Sequence, residues 1–191
     1  FEDVAIIRSI PQSIVIDITD AVMMENVMRQ VKDMEGVIYF RGSRAPVIGV
    51  YGPGSTFEIG TGNVIREGKD VTVIASGIMV AEALQAAELA EREGVSIKIV
   101  DMFTIKPLDE QLVIACARET GAIVTAENHN IIGGLGEAVS ACLAEHTPTP
   151  LERVGVRDEF GEVGPLDYLQ NRFALTEQAI VAAVKKVINR K

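Results

Sequence analysis

Short apolar runs alternate with longer segments of helical periodicity along most of this chain, and this alternation restricts the fold more than any other feature. The run Val71–Ala75 precedes a helical segment at 79–93, and the run at 96–101 precedes another at 109–119. Strands that alternate with helices of this length form right-handed βαβ units around a mostly parallel sheet. The sequence therefore predicts an α/β fold of three layers, with the sheet between two layers of helices.

The same alternation continues to the end of the chain. It predicts strands at 122–126 and 151–156, and helices at 134–145, 166–172 and 176–188. The composition fits a buried sheet covered by helices, because 48% of the residues are hydrophobic and the mean hydropathy is +0.23.

A smaller α/β piece precedes this domain. The β-branched run at 13–18, the helical segment at 21–34 and the apolar run at 37–41 form one β-α-β unit. This unit is too small to be a domain, so we interpret it as the end of an α/β domain.

A segment rich in glycine and proline separates the two parts, and its turn residues are typical of an interdomain linker. The predicted organisation is the end of one domain at 1–48, a linker at 49–61 and a second domain at 62–191.

Charge and composition exclude several classes of protein. The formal net charge of −9 disfavours a nucleic-acid partner, which would require a basic face. The most apolar stretch contains Glu82, Gln85 and Glu88, so we expect no membrane span, and no cleavable signal sequence is visible. We predict that Cys116 and Cys142 are buried free thiols and that the protein is cytoplasmic.

The segment after the strand at 122–126 combines polar side chains with a glycine-rich loop. Glu127 and His129 lie where open α/β sheets bind ligands, so His129 is a candidate general base, although such residues often hydrogen-bond to the following turn. The loop at 133–136 could present N–H groups to a phosphate, but it lacks the G-x-G-x-x-G pattern, and we favour a packing role. Two histidines without a cysteine cluster argue against a metal site.

Two arginines lie where the chain leaves the predicted strand at 37–41: Arg41 is its last residue and Arg44 follows three positions later. A guanidinium binds a phosphate monoester through paired hydrogen bonds, and strand ends of α/β sheets are where active sites form. The alternative is that both arginines bind acidic groups of the linker or of a neighbouring domain. The residue pattern alone does not separate these interpretations.

Five segments, in this order along the chain, resemble the transketolase family. They are 1–11 (FEDVAIIRSIP), 70–80 (DVTVIASGIMV), 103–109 (FTIKPLD), 127–136 (ENHNIIGGLG) and 158–164 (DEFGEVG). The resemblance covers essentially the whole chain. It implies that the chain starts within the pyrimidine-binding domain of such an enzyme and continues through its C-terminal domain.

The resemblance implies thiamine diphosphate and Mg²⁺ as cofactors, and the transfer of a two-carbon ketol unit between sugar phosphates. Some members divide the enzyme into two subunits, and this chain is similar to the second. The implied partners are a diphosphate-binding subunit and a second copy of the chain, in a homodimer formed through the pyrimidine-binding and C-terminal domains.

The resemblance places the family's cofactor-activating Glu, its pyrimidine clamp and its metal motif outside this chain, so we assign no catalytic, cofactor-binding or metal-binding residue here. Arg44 falls where the family places an arginine that binds the substrate phosphate, and Arg41 is the neighbouring alternative. A 1-deoxyxylulose-5-phosphate synthase, the beta subunit of a 2-oxoacid dehydrogenase and a non-catalytic assembly module remain open.

Overall fold

The structure is a computed structural model that describes residues 1–191, and it contains eight strands and seven helices. The strands are β1 (Ile14–Asp17), β2 (Ile38–Arg41), β3 (Asn63–Arg66), β4 (Val71–Ala75), β5 (Ile97–Asp101), β6 (Thr104–Lys106), β7 (Ile123–Asn130) and β8 (Leu151–Val156). The helices are α1 (Asp3–Arg8), α2 (Ala21–Val31), α3 (Met79–Glu91), α4 (Glu110–Thr120), α5 (Leu135–His146), α6 (Leu166–Arg172) and α7 (Glu177–Ile188).

The larger sheet has five strands in the order β3-β5-β4-β7-β8. Its last four strands are parallel, and β3 pairs antiparallel with β5 at one edge. Val71 and Val73 of β4 pack into the core with α3 and α7, whereas Ile74 packs on the opposite face with α4 and α5. Successive residues of a strand point to opposite faces of the sheet. This arrangement confirms the predicted mostly parallel, three-layer α/β fold.

A second, smaller sheet joins the N-terminal piece to the larger part of the chain. Its order is β2-β1-β6, with β1 and β2 parallel and β6 antiparallel to β1. Strand β6 follows β5 along the chain, yet it pairs with a strand from the first forty residues. The two parts of the chain are therefore held together by backbone hydrogen bonds.

Local chemistry fixes several helix ends. Asp20 caps α2 by accepting a hydrogen bond from the Met23 N–H at 3.0 Å, and Asp109 caps α4 in the same way through Leu112. Gly121 ends α4 in the left-handed conformation, with a φ of 65°, where a residue without a Cβ is favoured.

The structure contains three short elements that the sequence did not predict, α1, β3 and β6. Strands β3 and β6 have four and three residues, which is too short for a hydrophobic period to be visible. Strand β7 also continues to Asn130, four residues beyond its predicted end. For the strands at 71–75 and 151–156, the predicted bounds and the bounds in the structure are the same.

Cys116 and Cys142 are buried and free, as predicted. None of the helices has both the length and the apolar character that crossing a membrane would require.

Candidate functional site

The candidate site lies at the carboxyl ends of β1 and β2. Asp17 and Arg41 are the last residues of these parallel strands and are partners in the register. Ligands of open α/β sheets bind beyond the carboxyl ends of the strands. The segments that follow the two strands, residues 18–20 and 42–49, therefore form the walls of the site.

Arg41 is held by two carboxylates. Its Nε lies 2.8 Å from Oδ2 of Asp3, and its Nη1 lies 3.7 Å from Oδ2 of Asp17. The Tyr39 hydroxyl also donates to Asp3, at 2.7 Å. The Arg41 side chain is only 18% exposed. The guanidinium is thus directed toward two carboxylates of its own chain, and it fixes the point where the chain leaves β2.

Arg44 has the opposite environment, because it is exposed and makes no hydrogen bond or ion pair within the chain. The Ser43 side chain stabilises the turn beside it, since its Oγ accepts from the Ala45 N–H at 3.1 Å. The guanidinium of Arg44 is consequently free to bind an anion from outside the chain.

A pocket of about 400 Å³ opens beside this loop. Its walls come from residues 18–20 after β1, the first turn of α2 and the segment 42–51, and Ser43 and Ala45 on either side of Arg44 belong to the lining. Thr19 and Tyr51 are polar residues of the lining whose hydroxyls are bound by Asp101, while Val22 and Met24 supply apolar surface. Such a mixture of apolar walls and a few polar groups is typical of small-molecule sites.

Asp20 ties the far end of the loop to α2. Its Oδ2 accepts hydrogen bonds from the N–H groups of Val50 and Tyr51, both at 2.8 Å, while its Oδ1 caps α2. The carboxylate therefore has three donors from the backbone. The loop that contains Arg44 is anchored at its start through Arg41 and at its end through Asp20.

Asp17 connects the site to the larger sheet. It is almost completely buried, and its Oδ2 accepts a hydrogen bond from Ser76 Oγ at 2.8 Å. Burial raises the pKa of the Asp17 carboxyl, although Arg41 and the Ser76 hydroxyl act in the opposite direction. Ser76 lies immediately after β4, so this bond links the carboxyl ends of strands from both sheets.

The glycine-rich loop at 133–136 has a structural role. The N–H groups of Leu135 and Gly136 donate to Glu127 at 2.7 and 2.8 Å, so the first turn of α5 already binds a carboxylate of its own chain. A Cβ at Gly134 would overlap an oxygen of Glu127. Burial raises the pKa of Glu127 to about 7, while the two N–H groups lower it. The glycines allow β7 and α5 to approach closely.

Both ring nitrogens of His129 have partners inside the protein. Nδ1 lies 2.7 Å from the Asn130 carbonyl oxygen, and Nε2 accepts from the Ala5 N–H at 3.4 Å. The side chain is 1% exposed, and burial lowers its pKa. The imidazole therefore acts as a neutral connector between β7 and α1, and the hydrogen-bonding interpretation of this residue is the one that the geometry supports.

No group of three or more His, Cys, Asp or Glu side chains has an arrangement that could hold a metal ion. The residues of this chain consequently do not by themselves fit a metal-bound diphosphate.

The sequence did not indicate the side chains that make the most hydrogen bonds in the site. Asp17, Asp20 and Asp101 each follow or end an apolar strand, and that position is the signal by which they could have been recognised. Tyr51 gave no such signal because it lies in a segment interpreted as a linker.

Comparison with known proteins decides the family. The family described as "Transketolase, C-terminal domain" matches residues 60–180. The chain belongs to the transketolase family. A solved structure named "Split gene transketolase, inactive beta4 tetramer" has a TM-score of 0.95 and 44% identity, over 98% of this chain and 62% of that chain.

Two relatives extend the comparison of this transketolase-family chain. The 6-deoxy-6-sulfo-D-fructose transketolase subunit of Clostridium sp. is 45% identical over 190 residues, which are 100% of this chain and 59% of that protein. The 1-deoxy-D-xylulose-5-phosphate synthase of Heliobacterium modesticaldum is 35% identical over 188 residues, which are 97% of this chain and 29% of that protein. The chain thus spans less than two thirds of the length of these relatives.

Proposed function

We propose that this chain is the C-terminal section of a split transketolase. Together with a diphosphate-binding subunit, it would transfer a two-carbon ketol unit from a ketose phosphate to an aldose phosphate. The observation that carries the proposal is Arg44, an exposed guanidinium without a partner, on a loop anchored at both ends beside a pocket. A guanidinium forms paired, charge-assisted hydrogen bonds with a phosphate.

Within this proposal the two arginines have different roles. Arg44 binds the substrate phosphate, and Arg41 holds the loop through Asp3 and Asp17. Residues 1–48 are assigned to the end of the pyrimidine-binding domain, 49–61 to the linker and 62–191 to the C-terminal domain. The family match from residue 60 supports the last boundary.

The cofactor belongs to the assembly rather than to this chain alone. Thiamine diphosphate, when bound, supplies the carbon nucleophile that receives the ketol unit. Because the chain offers no cluster of metal ligands, we assign Mg²⁺ and the diphosphate to the partner subunit. A second copy of this chain is the other proposed partner, in a homodimer. The similar solved structure is described as an inactive tetramer. This description supports the proposal that a chain of this kind needs a partner subunit for activity.

The substrate has a second candidate. The relative from Clostridium is named for 6-deoxy-6-sulfo-D-fructose, whose sulfonate presents three oxygens as a phosphate does. Arg44 could bind either group, since both are anions that accept several hydrogen bonds. A phosphate monoester carries about two negative charges near neutral pH and a sulfonate one, so the two ketoses should differ in KM.

The test is reconstitution of the complete protein with its diphosphate-binding subunit, thiamine diphosphate and Mg²⁺. Ketol transfer from fructose 6-phosphate or its 6-sulfo analogue to an aldose phosphate would support the proposal. Consumption of pyruvate instead would favour the synthase or the dehydrogenase. A stable assembly that turns over none of these substrates would favour a non-catalytic assembly module.

A further inference from the structure

Asp101, the last residue of β5, is a completely buried acid next to the candidate site. Its Oδ2 accepts hydrogen bonds from the Thr19 hydroxyl at 2.6 Å and from the Tyr51 hydroxyl at 2.8 Å, while its Oδ1 has no partner. The two hydroxyls lie 82 and 50 positions away along the sequence. One carboxylate therefore joins the larger sheet to two separate segments of the pocket wall.

Tyr51 ends the loop that contains Arg44. Its backbone N–H is bound by Asp20, its ring packs edge-on against Phe57 with the centroids 4.7 Å apart, and its hydroxyl is bound by Asp101. The side chain is thus held in three ways. Since the loop is also fixed at its start through Arg41, few conformations remain available to it.

We propose that Asp101 is a positioning residue for the anionic end of the substrate, because it fixes the loop of Arg44 through Tyr51 and Thr19. The inference rests on the proposed function of Arg44 as the phosphate ligand. A loop that is already ordered loses less conformational entropy when it binds. Asp101 should therefore act on the affinity for the anionic group and leave the chemical step unchanged.

The segment around Asp101 supports this role, because residues 104–106 contact both the linker and the N-terminal part. Thr104 Oγ1 accepts from the Gly60 N–H of the linker at 3.2 Å. Lys106 Nζ donates to two carbonyl groups at and just beyond the end of α1. The segment that contains Asp101 and the motif FTIKPLD thus connects the two parts of the chain through hydrogen bonds.

Tyr51→Phe in the reconstituted complete enzyme tests the proposal, since it removes only the hydroxyl. We expect the KM for a phosphorylated substrate to rise about tenfold, with kcat and the KM for a phosphate-free aldehyde changed by less than about twofold. Asp101→Asn should have a smaller effect than Asp101→Ala, because the amide oxygen still accepts a hydrogen bond. Tyr168→Phe is the matched control, since it removes an exposed hydroxyl bound to Glu162.

Hydrogen exchange supplies a readout that does not depend on activity. In Tyr51→Phe, the amides of Val50 and Tyr51 should exchange faster than in the wild type, whereas Tyr168→Phe should leave them unchanged. Unchanged exchange together with an unchanged KM would overturn the inference. Absence of ketol transfer in the wild type would instead reject the proposed function, and faster exchange would then still support the anchoring of the loop by Asp101.

Discussion

Asp17 and Arg41 are paired in the register at the carboxyl ends of β1 and β2, and their side chains lie 3.7 Å apart. This pair directs one of the two candidate arginines into the protein. Its neighbour Arg44, three positions further on, remains exposed and without a partner. The two arginines should therefore respond differently to substitution.

Arg41→Ala should lower the thermal stability of the protein. The substitution leaves the partly buried Asp3 and the buried Asp17 without their cationic partner, although Tyr39 and Ser76 still donate to them. Loss of one partner of a buried or partly buried ion pair costs about 1–3 kcal/mol. Thermal unfolding of the two arginine variants measures the difference. A melting temperature lowered equally by Arg41→Ala and Arg44→Ala would contradict the structural role of Arg41.

Asp101→Asn should change how stability depends on pH. Burial raises the pKa of Asp101 to about 7 from its usual 3.8, the hydroxyls of Thr19 and Tyr51 act in the opposite direction, and the nearby Asp17 and Asp20 raise it further. The folded protein keeps the proton on the Asp101 carboxyl at pH values where the unfolded chain has lost it. The free energy of unfolding of the wild type therefore falls by about 2–4 kcal/mol as pH rises from 4 to 8.

The asparagine variant has no such proton to lose. Its melting temperature relative to the wild type should therefore increase between pH 5 and pH 8. Asp33→Asn is the control, since Asp33 is exposed and pairs with Lys32 at the surface. If the melting temperatures of wild type and Asp101→Asn differed by the same amount at every pH in this range, a raised pKa at Asp101 would be rejected.

Gly134→Ala should destabilise the protein, because the added Cβ would overlap Glu127 and lie close to the ring of His129. Overpacking of this kind costs about 1–3 kcal/mol. Gly52→Ala is a suitable control, since a Cβ there has no atom within 4 Å. Urea unfolding would compare the two variants, and equal stabilities would mean that the glycine-rich loop does not set the contact between β7 and α5.

The 191 residues alone should neither bind thiamine diphosphate tightly nor turn over sugar phosphates. The chain has no cluster of metal ligands, and the N–H groups at the start of α5 are already bound to Glu127. Titration calorimetry with thiamine diphosphate and Mg²⁺ is the measurement. Saturable binding in the micromolar range would contradict this prediction.

The sequence predicts much of this fold because the buried strands are strongly apolar. Val71–Ala75 is buried throughout, so its apolar run alone indicates a strand of a covered parallel sheet. Strand β6 could not be found in the same way, since its three residues pair with β1 only through tertiary structure. The sequence also suggested Arg41 and Arg44 together, and only the positions of Asp3 and Asp17 separate them.

The anchors of the site could not be predicted for a related reason. Asp101 and Tyr51 lie 50 positions apart, and no local pattern in the sequence indicates that they meet. Asp20 was recognisable as a helix cap, and it does cap α2. Its second role, as acceptor for the N–H groups of Val50 and Tyr51, depends on the path of a segment whose glycines and prolines indicate only a linker.

The measurement that tests the central claim most directly is the effect of Arg44→Ala on kcat/KM in the reconstituted complete enzyme. Loss of a charge-assisted phosphate contact costs about 1.5–3 kcal/mol, so KM for a phosphorylated aldose should rise about ten- to a hundredfold. The KM and kcat/KM for a short aldehyde without a phosphate should stay within about twofold of the wild-type values. Arg92→Ala, which removes another exposed arginine, should alter neither. A KM for phosphorylated substrates that is unchanged in Arg44→Ala would remove this residue from the site.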